Sequence, residues 1–160
     1  MRRALPVIAL MGAGFLAGCG FTPVYGEQGL GSNLSRIAVT TQDDRLGYRL
    51  REQLEDALGW NGTAAPAWRL QTAVRQERRP LGRRIDDTAS RYELTVIADW
   101  TLTPIRGGEP VTGTQTATVT YASADQPYAA IAAQQDGEER AAADLSRLIR
   151  QDLMRVLATQ

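Results

Sequence analysis

Arg91-Tyr92-Glu93-Leu94-Thr95-Val96-Ile97-Ala98-Asp99-Trp100-Thr101-Leu102 places Tyr92, Leu94, Val96, Ala98, Trp100 and Leu102 at every second position. Arg91, Glu93, Thr95, Ile97, Asp99 and Thr101 fill the positions between them. In a strand, alternate side chains point to opposite faces, so this pattern predicts a long strand with one face packed and the other mainly polar. The Pro104–Pro110 stretch, with Gly107-Gly108 inside it, is a turn signal that sends the chain back antiparallel. In the returning segment Val111, Gly113, Gln115, Ala117, Val119 and Tyr121 share one side, and Thr112, Thr114, Thr116, Thr118 and Thr120 share the other.

Upstream, Trp68, Leu70, Thr72 and Val74 alternate with Arg69, Gln71, Ala73 and Arg75, predicting another strand, and Ile37–Thr41 reads as a short first one. Between these, Leu46, Leu50, Leu54 and Leu58 recur every four residues, with Arg49, Arg51, Glu52, Glu55 and Asp56 on the remaining face. That is an amphipathic helix, capped at its start by Asp43 or Asp44 and ended by Gly59. An Ala-rich segment from Pro127 to Ala158 ends in Leu145, Leu148, Ile149, Leu153, Val156 and Leu157 at helical spacing, predicting a long second helix. Gly137 is read as a kink or break within it. The order is strand, helix, three strands, helix. The expected fold is α+β, a two-layer sandwich with two helices on one face of a four-stranded mixed sheet. The strand-helix-strand unit should be parallel and right-handed, and the other strand pairs hairpins.

Composition narrows the function. At 160 residues and 43% hydrophobic, the chain is sized for one core. Its 18 basic and 18 acidic residues give zero formal charge, unlike a protein that wraps nucleic acid. Every basic residue is Arg, and Lys and His are absent. A Schiff-base or phosphate-loop lysine, a histidine base and an imidazole metal ligand are thereby excluded. Glu93 and Asp99 share a strand face six residues apart, about 20 Å by strand rise, too far for a paired-carboxylate hydrolase. The expectation is a non-enzyme with no metal and no cofactor beyond a covalent lipid.

That lipid is expected from the N-terminus. Met1-Arg2-Arg3 is a positive n-region, and Ala4–Phe15 is an apolar stretch of signal-peptide length, too short for a bilayer span. Leu16-Ala17-Gly18-Cys19 resembles the bacterial lipobox, which makes residues 1–18 the cleaved lipoprotein signal peptide and Cys19 the lipidated first residue. Gly20 follows where an Asp would favour inner-membrane retention in the lipoproteins this resembles, leaving the outer membrane as destination. Cleavage takes Arg2 and Arg3 with it, leaving 16 basic against 18 acidic residues. Residues 19–34, with Pro23, Gly26, Gly29 and Gly31, read as the lipidated N-terminus and tether, and residues 35–160 as a single domain.

Arg75, Arg78, Arg79, Arg83 and Arg84 crowd around Pro80-Leu81-Gly82, a segment expected to be a loop between two strands. It reads either as a group of planar guanidinium forks suited to oxyanions or as a solvated hairpin partly neutralised by Glu77, Asp86 and Asp87. Trp60, Trp68, Trp100, Tyr121 and Tyr128 read as packing residues.

Three stretches resemble one family. Cys19-Gly20-Phe21-Thr22-Pro23-Val24-Tyr25-Gly26, the strand Thr88-Ala89-Ser90-Arg91-Tyr92-Glu93-Leu94, and Tyr121–Tyr128 with Asp125-Gln126-Pro127 before a long helix are similar to LptE, the lipopolysaccharide-assembly lipoproteins, in their short-chain branch. The resemblance implies a one-to-one plug and chaperone for LptD, the outer-membrane barrel that inserts lipopolysaccharide into the outer leaflet. It implies too that the chain binds lipopolysaccharide, lipid-anchored and facing the periplasm and the barrel lumen. The family's lipopolysaccharide-contacting basic residue falls in the arginine segment, so that role passes to Arg78, Arg79, Arg83 and Arg84 as a group. A lipid-anchored periplasmic binding or scaffold module of the envelope, without a barrel partner, is the alternative.

Cys19→Ala is expected to block lipidation, leaving a slower-migrating precursor on a gel and removing the protein from the outer-membrane fraction. Normal acylation and sorting of the variant would refute the lipobox assignment.

Overall fold

The computed structural model describes residues 33–159 except 84 and 86–88. Strand β1 (Ile37–Thr41) leads into helix α1 (Arg45–Leu58), followed by strands β2 (Trp68–Arg83), β3 (Ala89–Pro104) and β4 (Val111–Ala122) and helix α2 (Pro127–Ala158). The four strands form one sheet in the order β1-β2-β3-β4. β1 and β2 are parallel, Ile37 opposite Trp68 and Thr41 opposite Thr72, while β2–β3 and β3–β4 are antiparallel. The mixed α+β sandwich is the architecture the periodicities predict.

Local chemistry sets the ends of α1. Asp44 is the N-cap, its Oδ1 accepting from the Gly47 N–H at 2.6 Å, which satisfies a donor the helix itself cannot. At the other end Gly59 takes φ 71°, the left-handed region open to glycine. Its N–H donates to the Asp56 carbonyl and that of Trp60 to the Glu55 carbonyl, closing the last turn.

Leu46, Leu50, Leu54 and Leu58 of α1, with Leu145, Ile149, Leu153 and Leu157 of α2, are buried against Ile37, Leu70, Leu94, Val96, Leu102 and Val119. Each such side chain contributes about 1.5–3 kcal/mol by leaving water. The exposed ion pairs on the helices, such as Arg147–Asp144, are worth at most about 1 kcal/mol each, so apolar burial holds the layers together. Leu34 joins this core at 4% exposure. Between the helices, buried Glu138 of α2 pairs with Arg45 of α1 at 3.3 Å and accepts from Gln134 Nε2 at 2.9 Å.

Two expectations fail on α2. Gly137 does not interrupt the helix, which is continuous from Pro127 to Ala158. A side chain there would bring Cβ within 2.9 Å of Tyr121 Cδ1, so this glycine serves close approach of helix to sheet. Tyr128 does not pack: it is 89% exposed, because it lies on the first turns of α2, ahead of Gly137 where burial on the helix begins. Trp100 is buried, and Trp68 packs against the core.

Ile149 is fully buried on the face of α2 that meets the sheet. Ile149→Asp places an unpaired charge there and is expected to cost upwards of about 4 kcal/mol. Thermal unfolding by circular dichroism should show no cooperative transition at the parent's temperature.

Candidate functional site

The arginine-rich segment is strand, not loop. β2 continues to Arg83, with Arg78 opposite Leu94, Arg79 opposite Glu93, Pro80 opposite Tyr92 and Arg83 opposite Ala89. Charge density and Pro80 both suggest a loop in the sequence, yet β3 supplies a backbone partner for the whole stretch. β1 pairs with β2 only as far as Thr72, so Pro80 sits where β2 is an edge strand and proline is tolerated.

Strand alternation separates the arginines. Arg78 lies on the helix side, its guanidinium 4.8 Å from the centre of the Tyr92 ring and its Nη1 donating to Gln134 Oε1 at 3.3 Å. Arg79 lies on the open side, where Nη2 donates to Glu93 Oε1 at 2.7 Å. Arg83 is placed by its backbone pairing with Ala89, while Arg84 and Cys19 lie outside the described residues. The structure therefore does not bring Arg78 and Arg79 to one face.

On the open face, Arg75 donates to Asp99, Thr114 Oγ1 donates to Asp99 Oδ1 at 2.6 Å, and Thr95 and Thr118 hydroxyls meet at 3.5 Å. Glu93 and Asp99 are each engaged by an arginine on β2. The hydrogen bond from Thr114, followed by that from Arg75, holds the Asp99 carboxyl below its usual range. This surface is mainly hydroxyls and charged groups over three strands, with Ile97 among them, and two of its arginines are paired with carboxylates.

On the helix side, Arg78, Tyr92, Tyr121, Ser123, Ile131 and Gln134 line a cleft of about 200 Å³ between the far end of the hairpin and the start of α2. The Tyr92 and Tyr121 rings stand 5.6 Å apart, and Tyr121 is only 7% exposed. Its buried hydroxyl has no hydrogen-bond partner among the described residues. Ile131, 54% exposed, and Tyr128 add apolar surface on the first turns of α2. A guanidinium over an aromatic ring, an unmet hydroxyl and an apolar rim can hold an acidic group attached to a hydrocarbon. The sequence reading missed Ile131 and Gln134. Pro127 was the available signal, since it starts a helix only six residues after Tyr121, the last inward-facing residue of β4.

A family model described as LptE: Lipopolysaccharide-assembly matches residues 34–153. Among solved structures, a Caulobacter crescentus CB15 protein described as a lipoprotein is 47% identical with a TM-score of 0.71, over 82% of this chain and 96% of that one. Rare lipoprotein B of Shewanella oneidensis is 16% identical with a TM-score of 0.48, over 77% of this chain and 93% of its own. A lipoprotein B of Nitrosomonas europaea is 15% identical with a TM-score of 0.48, over 77% and 84%. No curated protein matches.

The lowered pKa of Asp99 carries a signed consequence. Its contribution to stability is fully present above the unfolded aspartate range and is lost as pH falls through the folded pKa. Thr114→Val removes the largest cause, so carboxyl NMR titration should show Asp99 rising toward the ordinary value. An unmoved titration would mean the hydroxyl does not support the carboxylate.

Proposed function

The chain belongs to the LptE lipopolysaccharide-assembly family, and on that premise we propose that it is a non-catalytic outer-membrane lipoprotein that plugs the LptD barrel. In this reading it helps LptD assemble at one-to-one stoichiometry and binds lipopolysaccharide during insertion into the outer leaflet. The observation that carries the reading is the family match over residues 34–153, which takes in all but the last residues of the described fold.

The surface chemistry supports it. Barrels of the outer membrane have polar interiors, and a plug must offer them hydrogen-bonding groups rather than apolar area. The threonine row of β4 and the neutralised charges of β2 and β3 supply such a face, while the two helices take up the apolar side of the sheet. Lipid on Cys19 would hold the domain at the membrane, since two or three acyl chains anchor far more firmly than one. No described helix is long and apolar enough to cross a bilayer.

For lipopolysaccharide, the cleft at Arg78 gives the arginine group a direction. Acidic groups on the inner sugars would meet the Arg78 guanidinium and the Tyr121 hydroxyl, with hydrocarbon against Ile131 and Tyr128. Arg79, already engaged by Glu93, contributes less than Arg78 in this arrangement.

The expected result of extracting native membranes in mild detergent through a C-terminal tag is one LptD-type barrel in equal amount, identified by mass spectrometry. A fully lipidated, folded protein that recovers no barrel would leave the envelope scaffold in its place. Replacing Arg78, Arg79, Arg83 and Arg84 together by Ser should weaken lipopolysaccharide binding by about tenfold or more, as expected for lost charge-assisted bonds, with the melt unchanged. Arg78→Ser alone should account for more of the loss than Arg79→Ser.

A further inference from the structure

At 6% exposed, Glu138 of α2 is one of two buried carboxylates among the described residues, the other being Asp152. Its two oxygens face different partners. Oε2 pairs with Arg45 of α1 at 3.3 Å, and Oε1 accepts from Gln134 Nε2, one helical turn earlier, at 2.9 Å. Gln134 in turn accepts through its Oε1 from Arg78 Nη1 at 3.3 Å. Three contacts thus link Arg45, Glu138, Gln134 and Arg78, running from α1 through α2 to the cleft on β2.

The direction of these bonds is fixed by chemistry. An ionised carboxylate accepts hydrogen bonds and donates none, so only the NH2 end of the Gln134 amide can face Glu138. The carbonyl end is thereby turned toward the Arg78 guanidinium, which only donates. A neutral amide at position 138 could donate or accept, and Gln134 would then be free to turn its own donors toward Arg78. Stability alone does not account for the carboxylate, because apolar residues of similar volume often hold two helices as well as a buried ion pair does, or better.

The link also preserves the charge of Arg78. Arg75 and Arg79 are joined directly to Asp99 and Glu93. Arg78 is held instead by the Tyr92 ring and a neutral amide, and no carboxylate lies within ion-pair distance of it among the described residues. Gln134 is the spacer: it carries the orienting effect of a buried anion to Arg78 without neutralising the cation. We infer that Glu138 is a positioning residue for the cleft, turning the Gln134 carbonyl so that it holds the Arg78 guanidinium over Tyr92 for an acidic group of lipopolysaccharide. The ligand in this inference rests on the lipopolysaccharide reading given above, whereas the link from Glu138 to Arg78 rests on the bonds alone.

Binding of purified lipopolysaccharide to the lipidated chain in mild detergent should be about threefold to tenfold weaker for Glu138→Gln, the loss that one hydrogen bond is worth. In an Arg78→Ser background the same change should have no further effect, since Glu138 acts through Arg78. Equal loss in both backgrounds would show that Glu138 supports the cleft by some other route and would overturn the inference. Unchanged binding in a folded Glu138→Gln chain would overturn it too. Arginine side-chain NMR gives a readout that needs no ligand. Rotation about the Arg78 Nε–Cζ bond should be slow enough in the parent to give resolved Nη signals, and these should average in Glu138→Gln. Averaged signals in the parent overturn the positioning role even if the variant does not fold. A parent that binds no lipopolysaccharide overturns the ligand reading and the ligand named here, an outcome distinct from loss of binding in the variant alone.

Discussion

The apolar stripe of α2 lying on the inner faces of β3 and β4 is the contact on which the rest of this molecule depends. Leu145, Ile149 and Leu153 are wholly withdrawn from water there, and small residues set the distance at which this happens. Ala98 and Ala117 on the sheet and Ala141, Ala142 and Gly137 on the helix allow the two layers to approach closely. Where large residues do meet, as Tyr121 meets Gly137, one partner has no side chain at all. Close packing of this kind makes the helix position specific, because neither a larger residue nor a cavity is tolerated cheaply.

Covering one side of the sheet leaves the other side to be polar, and that asymmetry is what the proposed plug role draws on. The open face is not merely hydrophilic. Arg75 and Arg79 are matched to Asp99 and Glu93 across the β2–β3 ladder, and threonines continue the surface across β4. Individually, exposed pairs of this sort add little stability. Together they give a nearly neutral, hydroxyl-rich surface that can dock against a polar wall without burying unpaired charge.

The absence of lysine has a structural counterpart in the cleft. The Arg78 guanidinium sits over the Tyr92 ring while its Nη1 reaches Gln134, two contacts at once that a group with several donors on a fixed fork favours. The first turns of α2 bring Ile131 and Tyr128 beside that cation. Polar and apolar groups thus meet at one end of the molecule.

The elements of this fold were legible in the chain because their causes are local. Alternation in Arg91–Leu102 and Val111–Tyr121 needs only the geometry of a strand, and Leu46, Leu50, Leu54 and Leu58 only that of a helix. Asp44 and Gly59 mark the ends of α1 through bonds within a few residues. The family resemblance also follows from short stretches and their order. Tertiary structure settled what depends on distant segments meeting. Whether Arg75–Arg83 is loop or strand turned on β3 offering a backbone partner, and that pairing then sent Arg78 and Arg79 to opposite faces. Gly137 looked like a break because helix propensity penalises glycine, but the nearby Tyr121 ring makes it a packing residue. The cleft likewise has no local signature, since it is formed by the arrangement of whole elements.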